Sequence, residues 1–241
     1  MTELHADFHD QVVLNSNELS WQPSPMAGVE RRMLDRVGAE RARASSIVRY
    51  APGSKFSAHV HEGGEEFVVL EGTFEDEHGA YPEGSYVRNP PFTSHSPSSA
   101  AGCTIFVKLW QFAPCDSVSV NRYIPDCLES ESVLEKVSKS EPASTHESPI
   151  VSAQLFANDY EQVSVHNLPA HTKMSFASPG GVEVLVLNGA LSILDQHSEK
   201  TLTLHGWLRH PIGAALQIKA ADSGCTFWMK TGHLRHIRIP D

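Results

Sequence analysis

The sequence predicts an all-β protein built from two similar domains. Short runs rich in Val, Ile, Thr, Phe and Tyr, such as residues 45–50, 66–70 and 103–112, are separated by prolines and glycines. No sustained helical period occurs before residue 128. Many short strands joined by turns are typical of a β-sandwich or a β-barrel.

The second half of the chain repeats the first, and this repeat predicts the second domain. The offset between the copies is 117 residues at first and 122 residues after an insertion of five. The aligned pairs are Pro52 with Pro169, Gly63-Gly64 with Gly180-Gly181, Glu66 with Glu183, Gly72 with Gly189, Gly84 with Gly206, and Cys103 with Cys225. A repeat of this length indicates that one structural unit has been duplicated.

Residues 129–149 separate the two copies. Serine, glutamate, lysine and proline dominate this stretch, and apolar residues are few. Such a composition is typical of a flexible linker. We therefore expect a first domain over residues 1–128, a linker over 129–149 and a second domain over 150–241.

The charge balance argues against a nucleic-acid surface. The 241 residues carry 19 basic and 29 acidic side chains, a formal net charge of −10. Phosphate contacts need clustered Lys and Arg, whereas the short basic clusters at 31–32 and 41–43 lie among acids. No stretch is apolar enough to cross a bilayer. We expect neither nucleic acid nor a membrane as a partner.

Cysteine usage and the N-terminus predict the compartment. The four cysteines lack the CxxC spacing of a zinc knuckle or a thioredoxin-like site. The first residues lack the basic start and the apolar run of a secretory signal. We therefore expect free thiols and a cytoplasmic location.

Histidines are concentrated in one part of the first domain. His59 and His61 stand two residues apart, so on a strand both side chains point to the same face, plausibly a barrel interior. The glycine pair at 63–64 allows a tight turn after them.

An acidic pair and a third histidine complete this group. Glu65 and Glu66 follow the turn, so one of the two carboxylates returns toward the cavity. His95 arrives after residues 88–91, which predict an extended entry. Imidazole nitrogen and carboxylate oxygen suit divalent zinc, iron, nickel or manganese, so the group predicts a metal site.

The spacing of these residues resembles the two motifs of the cupin superfamily. The matching positions are Gly53, His59, His61, Glu65 and Gly72 in the first motif, and Gly84, Pro90 and His95 in the second. Phe92 stands where cupins usually have glycine, and Ser99 replaces the usual asparagine. The resemblance implies two tandem jelly-roll barrels, also called double-stranded β-helices. It also implies that the metal ligands are His59, His61, Glu65 and His95, and that Glu66 is not a ligand.

Within cupins, residues 20–112 are most similar to the cupin domain of ChrR-type anti-sigma factors, and a second copy follows at 150–240. That cupin domain binds zinc. The anti-sigma activity of the family belongs to a separate N-terminal domain with a His and CxxC ligand set, whereas residues 1–20 here contain His5 and His9 but no cysteine. The resemblance implies a metal-binding bicupin with a sensory or regulatory role, responsive to a small molecule or to redox state, without the anti-sigma domain.

A second function remains open from the same resemblance. Similar sequences occur among iron(II) cupin dioxygenases that cleave small diketones or hydroxyketones. Zinc with four protein ligands is coordinatively filled, whereas octahedral iron keeps open positions. We expect one divalent ion per chain, with zinc first and iron(II), manganese and nickel as alternatives. We also expect a small-molecule ligand or substrate and allow for a homodimer.

The second copy is predicted to lack a metal site. The aligned residues are Phe176 for His59, Ser178 for His61, Val182 for Glu65 and Gln217 for His95. The remaining histidines nearby are His171, His205 and His210, and they stay open as either loop residues or a different site.

Side chains beside the first-barrel strands are further candidates for its cavity. These residues are Arg49, Tyr50, Arg88, Lys108 and Trp110. Because side chains alternate along a strand, we expect some of them to face the cavity and the others to face outward.

Overall fold

The computed structural model describes residues 2–39, 41–113, 115–138, 149–194 and 199–240. Over these residues the chain consists mainly of antiparallel β-sheets folded as two jelly-roll barrels, as predicted. No helix among them is both long and apolar enough to cross a bilayer. None of the four cysteines forms a disulfide.

Most of the elements are β-strands. Those of the first half are β1 (Thr2–Leu4), β2 (Val12–Asn15), β3 (Gln22–Pro23), β4 (Val29–Gly38), β5 (Ala42–Tyr50), β6 (Ser54–Lys55), β7 (His59–His61), β8 (Glu65–Asp76), β9 (Gly79–Pro82), β10 (Ser85–Asn89), β11 (Thr93–His95), β12 (Ser98–Ser99), β13 (Cys103–Leu109) and β14 (Val120–Tyr123). Those that follow are α1 (Ile124–Ser138), β15 (Val151–Ala157), β16 (Gln162–Leu168), β17 (Lys173–Phe176), β18 (Val182–Leu194), β19 (Glu199–Leu202), β20 (Gly206–His210) and β21 (Leu216–Thr231). Two 3₁₀ turns lie at Ser16–Glu18 and His233–His236.

The chain divides into two compact units. The first contains Met1–Asp7, Glu18–Tyr123 and His236–Asp241, and the second contains Phe8–Asn17 and Ile124–Arg235. The predicted boundaries placed all of residues 1–128 in one domain. The difference at the N-terminus arises because β2, a short apolar strand, pairs with β20 at the edge of the second sheet.

Part of the predicted linker is helical. Residues 129–149 were predicted to be flexible, but α1 runs from Ile124 to Ser138. Pro125 lies in the first turn, where the missing N–H leaves no intrahelical bond unmade. The Leu, Glu and Lys residues that follow are good helix formers. The prediction of a linker did not take their helix propensity into account. The rest of the stretch up to residue 148 lies outside the described residues.

The main sheet of the first unit has the order β1-β4-β5-β13-β8-β10-β14, and a small sheet pairs β7 with β11. Its core lies on the inner face of β8, β10 and β13. The buried core residues are Phe67, Val69, Phe74, Tyr81, Val87, Cys103, Ile105 and Val107. Phe74 of this core contacts His95, with the ring centroids 5.8 Å apart.

The sheet of the second unit has the order β15-β16-β21-β18-β20-β2, with β17 paired to β21. Cys225 pairs with Gly189 as Cys103 pairs with Gly72, so the two copies agree at this point. They differ from the predicted alignment at β20, where Trp207 pairs with Leu185 as Tyr86 pairs with Val68.

That register corrects the position equivalent to Gly84. Gly84 lies at φ +88° and its N–H donates to Val69 O, whereas His205 lies at φ +60° and donates to Val186 O. His205, rather than Gly206, is therefore the counterpart of Gly84. Four of the five inserted residues therefore precede His205, and the fifth lies between His205 and Cys225.

Candidate metal centre

Two short paired strands bring the three histidines together. In the antiparallel pair β7 and β11, His59 lies directly opposite His95, and His61 lies on the same face as His59. The Nε2 atoms of His61 and His95 are 2.9 Å apart. One ring nitrogen from each of the three imidazoles lies within 4.8 Å of the others. This is the one such cluster found among the described residues.

The turn after β7 brings Glu65 back to the cluster. Gly64 lies at φ +78°, in the left-handed region that favours glycine. A Cβ at Gly63 would lie 2.2 Å from the indole of Trp110, so the neighbouring aromatic ring also requires a glycine there. After this turn the buried Glu65 Oε2 lies 3.5 Å from His61 Nε2 and 3.4 Å from His95 Nε2.

The neighbouring Glu66 points to the opposite face of β8. Its carboxylate accepts a hydrogen bond from Tyr86 Oη at 2.5 Å and lies 3.5 Å from Arg88 Nη1. It is 1 % exposed, so this pairing holds a buried charge. The structure therefore brings Glu65, and not Glu66, to the histidines.

The repeat explains why the two acids differ. Glu66 is matched by Glu183, which accepts a hydrogen bond from Trp207 Nε1 at 2.7 Å. Glu65 is matched by Val182, which is fully buried. The outward acid is kept in both copies because it satisfies buried donors, whereas the inward acid is present only where the histidines are.

Partners behind the imidazoles orient them. His95 Nδ1 lies 3.1 Å from Asp76 Oδ2, and His59 Nδ1 donates to Ser57 O at 3.1 Å. A proton held at Nδ1 leaves Nε2 free to bind a metal, as in carboxylate–histidine–metal arrangements. Asp76 also accepts from Tyr81 Oη through its other oxygen. Nothing in the sequence pattern marks Asp76, since it lies in a turn-forming stretch 19 residues before His95.

Burial shifts the pKa values of two residues of the cluster, His61 and Glu65. It lowers the pKa of His61 to about 4, with His59 as a second cause, so His61 is a neutral imidazole at pH 7. Neutral imidazole is the form that binds a metal. Burial also raises the pKa of Glu65, an effect that His95 and a hydrogen bond from Asn89 oppose.

The spacing of the donor atoms fits a divalent ion. Ligands held at about 2.0–2.2 Å are separated by about 3.0 Å at right angles and by about 3.4 Å at tetrahedral angles. The separations of 2.9, 3.4 and 3.5 Å among His61, His95 and Glu65 agree with these values. The residues present are therefore suited to hold such an ion.

The other cavity candidates divide between the two faces. Tyr50 packs on Phe56 and Phe74 at the inner side, and Trp110 lies against the glycine turn. Arg88 and Lys108 are fully buried on the outer face of the sheet. Arg49 faces outward as well and pairs with Glu30. Only Tyr50 and Trp110 thus lie on the side of the metal cluster.

The second unit has no counterpart of this cluster among its described residues. The alignment placed Gln217 at the position of His95, but Phe176 pairs with Leu216 as His59 pairs with His95. Leu216 is buried in the core, whereas Gln217 is exposed. The counterpart of His95 is therefore Leu216, and no metal-binding side chain stands there.

The three histidines that the sequence left open, His171, His205 and His210, do not form a metal-binding group. His210 Nδ1 lies 2.9 Å from Gln11 Nε2, and its Nε2 lies 3.1 Å from Ala214 O. His171 is exposed and lies 3.6 Å from Asp222. His205 occupies the turn before β20.

Comparison with known proteins agrees with the fold. Residues 9–113 match the family model described as the ChrR cupin-like domain. No curated protein matches the sequence. Among solved structures, protein Ylba from E. coli is 13 % identical, with a TM-score of 0.66 over 97 % of this chain and 95 % of that chain.

Two further solved structures have the same fold. A cupin 2 conserved barrel domain protein from Leptotrichia buccalis is 10 % identical, with a TM-score of 0.59 over 96 % of this chain and 100 % of that chain. Salicylate 1,2-dioxygenase from Pseudoaminobacter salicylatoxidans, in its adduct with gentisate, is 14 % identical, with a TM-score of 0.63 over 93 % and 81 %. Residues 9–113 are thus similar to a ChrR cupin-like domain, and the two jelly-roll barrels of this chain have the fold of these solved structures.

Proposed function

We propose that this protein is a metal-dependent cupin with one ion per chain, bound in the first barrel. The ligands are His59, His61, Glu65 and His95. The observation that carries the proposal is the convergence of donor atoms from His61, His95 and Glu65 to separations of 2.9–3.5 Å, with His59 beside them. The second barrel supplies no ligands of its own.

The activity we assign to this centre is that of an iron(II) dioxygenase acting on a small carbonyl compound. The accessibility of the centre supports this assignment, because His59 is the most exposed of the three histidines and a cavity of about 230 Å³ reaches His61. Iron(II), when bound, supplies the activation of dioxygen. The protein's part is to hold His61 neutral, to orient His95 through Asp76 and to bind the substrate in the cavity.

Oxygen consumption tests this assignment. Protein loaded with iron(II) should take up oxygen in the presence of at least one member of a panel of small diketones, hydroxyketones and 2-oxo acids. His61→Ala should abolish the uptake, and Ser178→Ala, at the matching position of the second barrel, should leave it unchanged. If no compound in the panel stimulates uptake by protein that holds one iron per chain, the enzymatic assignment is wrong.

The second candidate is a ChrR-type metal-binding regulator, which the family-model match over residues 9–113 favours. In this case zinc is the resident ion, and a small molecule or a redox change alters the protein without turnover. We place such a regulator in the cytoplasm. Elemental analysis of protein purified without added metal decides between the candidates. Zinc well below one ion per chain would contradict the regulator.

A further inference from the structure

The cavity beside the metal centre combines positive charge with apolar walls. It has a volume of about 230 Å³ and reaches the turn that begins at His61. Arg36 and Arg41 supply its cationic groups, and Leu109 and Trp110 are among its apolar lining. All of these residues belong to the first unit.

The sheet register places Arg36 on the same face as the metal-binding acid. Arg36 lies opposite Ala44, Ala44 lies opposite Leu109, and Leu109 lies opposite Glu65. Residues directly opposite each other on antiparallel strands point to the same side of the sheet. Arg36, Leu109 and Glu65 therefore share the inner face at one end of the barrel, with the cavity between the arginine and His61.

The charged residues that line the cavity are two arginines and one glutamate. Arg41 Nη1 lies 2.9 Å from Glu62 Oε2, but both side chains are largely exposed, at 64 % and 39 %. An exposed ion pair of this kind is weak and yields readily to a competing anion. Arg36 is held in place by a hydrogen bond to Ala39 O. Burial and the charge of Arg31 lower the pKa of Arg36, so a nearby anion would be favourable.

The apolar wall packs closely against the turn after β7. Trp110 adopts φ +60°, an unusual value for a bulky residue. Its indole lies so close to Gly63 that a Cβ there would be 2.2 Å from the ring. A backbone held in a sparsely populated region beside a functional site is a recurrent mark of a ligand-contacting position. The ring offers a flat surface for the apolar part of a ligand.

We infer that this cavity binds a small carboxylic acid with an apolar body. The carboxylate pairs with Arg36 and Arg41, the body packs on Trp110 and Leu109, and the far end is directed to His61 at the metal centre. The orientation rests on the proposed metal centre. The preference for an acid rests on the arginines alone.

Paired probes of equal shape test the preference for an acid. Calorimetric titration of the zinc-loaded protein compares benzoylformate with its neutral amide. We expect the acid to bind at least about tenfold more tightly, because a charge-assisted arginine–carboxylate pair is lost in the amide. Arg36→Gln should remove most of this difference, and Arg36→Lys should restore part of it. Arg122→Gln, an exposed position outside the cavity, is the matched control and should change nothing.

The outcomes separate this inference from the proposed activity. An acid-to-amide affinity ratio near one, or equal effects of Arg36→Gln and Arg122→Gln, would overturn the inference. Metal content and thermal melting of each variant are measured in parallel, so loss of the ion or of the fold is recognised. Failure of the oxygen-uptake experiment would remove the dioxygenase and leave the affinity ratio as it is.

Discussion

At the scale of single residues, Asp76 has a role that its position at the end of β8 does not reveal. Its Oδ2 faces Nδ1 of His95, and its Oδ1 accepts bonds from the N–H groups of His78 and Gly79 and from Tyr81 Oη. The two oxygens thus serve two purposes. One orients His95, and the other closes the turn between β8 and β9.

Asp76→Asn should therefore weaken metal binding while sparing the fold. The amide oxygen can keep the turn bonds, but the amide nitrogen would face Nδ1 of His95 and favour the tautomer with the proton on Nε2. We expect zinc affinity to fall by about tenfold. Competition with a chromophoric chelator measures it. Tyr81→Phe, which removes a bond to the other oxygen, is the control, and an equal effect of both variants would contradict an orienting role.

Phe92 is strained where the resemblance expects glycine. It adopts φ +70° and is 76 % exposed, so its ring contributes little to the core. Phe92→Gly should raise the free energy of unfolding by about 1 kcal/mol, because the left-handed region carries no penalty for glycine. Urea unfolding measures the change. Phe92→Ala keeps the Cβ and should bring no gain; a gain equal to that of glycine would exclude backbone strain as the cause.

His166 predicts an acid-sensitive step in the second unit. Its ring stacks on Phe227 and lies 2.7 and 2.8 Å from the hydroxyls of Ser152 and Ser164. Burial lowers its pKa from 6.5 to about 4, so the folded state prefers the neutral ring. The associated stability is complete above about pH 6.5 and is lost as the pH falls toward 4.

His166→Gln should flatten this pH dependence. Relative to its own value at pH 7.5, the parent protein should lose about 2 kcal/mol more than the variant by pH 5. Urea unfolding at a series of pH values supplies the comparison. Parallel curves for the two proteins would show that His166 does not titrate in this way.

At the scale of elements, the turn between β7 and β8 determines whether the ligands meet. Gly64 lies at φ +78°, and a Cβ there would be 2.5 Å from the ring of Phe112. Gly53 also lies at φ +78°, but nothing lies within 4 Å of its Cβ position. Substituting each of the two glycines therefore distinguishes the effect of backbone strain alone, at Gly53, from that of strain together with close packing, at Gly64.

Gly64→Ala should destabilise the protein by about 3 kcal/mol and reduce its zinc content, since both strain and a clash arise. Gly53→Ala should cost only about 1 kcal/mol and leave zinc unchanged. Thermal melting and elemental analysis of the two variants provide the test. Similar losses from both would mean that packing against Phe112 is unimportant.

At α1, composition predicted a flexible linker where the structure has a helix. Its residues 129–138 share the Ser, Glu and Lys content of linkers, but Ile124 at its start is buried, which anchors the helix. The composition of a segment does not predict that one of its side chains will be buried. The same holds for β2, whose pairing with β20 depends on a partner almost 200 positions away in the chain.

At the scale of the whole molecule, one barrel carries the histidine cluster and the other has no such cluster among its described residues. His61→Ala should lower the metal content from about one ion per chain to near zero, because it removes one of the four ligands from a small cluster. Ser178→Ala should leave the content unchanged, although Ser178 is buried and donates to the carbonyls of Pro211 and Ala214. Elemental analysis measures the metal content of both variants. Equal loss from the two would contradict a single site.

The fold class and the duplication could be predicted from the sequence alone, and so could the histidines that the structure brings together. Strand periodicity and the spacing of glycines are local properties, and the His-X-His pair fixes two side chains on one face without reference to the rest of the chain. The cupin resemblance then added Glu65 and His95 as ligands. The framework pairs Cys103 with Cys225 and Glu66 with Glu183 also followed from the repeat.

The tertiary structure was needed to show which distant residues meet. It placed Asp76 behind His95, moved the counterpart of His95 from Gln217 to Leu216 and set Arg36 on the face of Glu65. Each of these depends on strand register and on loop length. A shift of one residue reverses the face of every side chain, and a linear alignment carries no information about where in a loop an insertion falls.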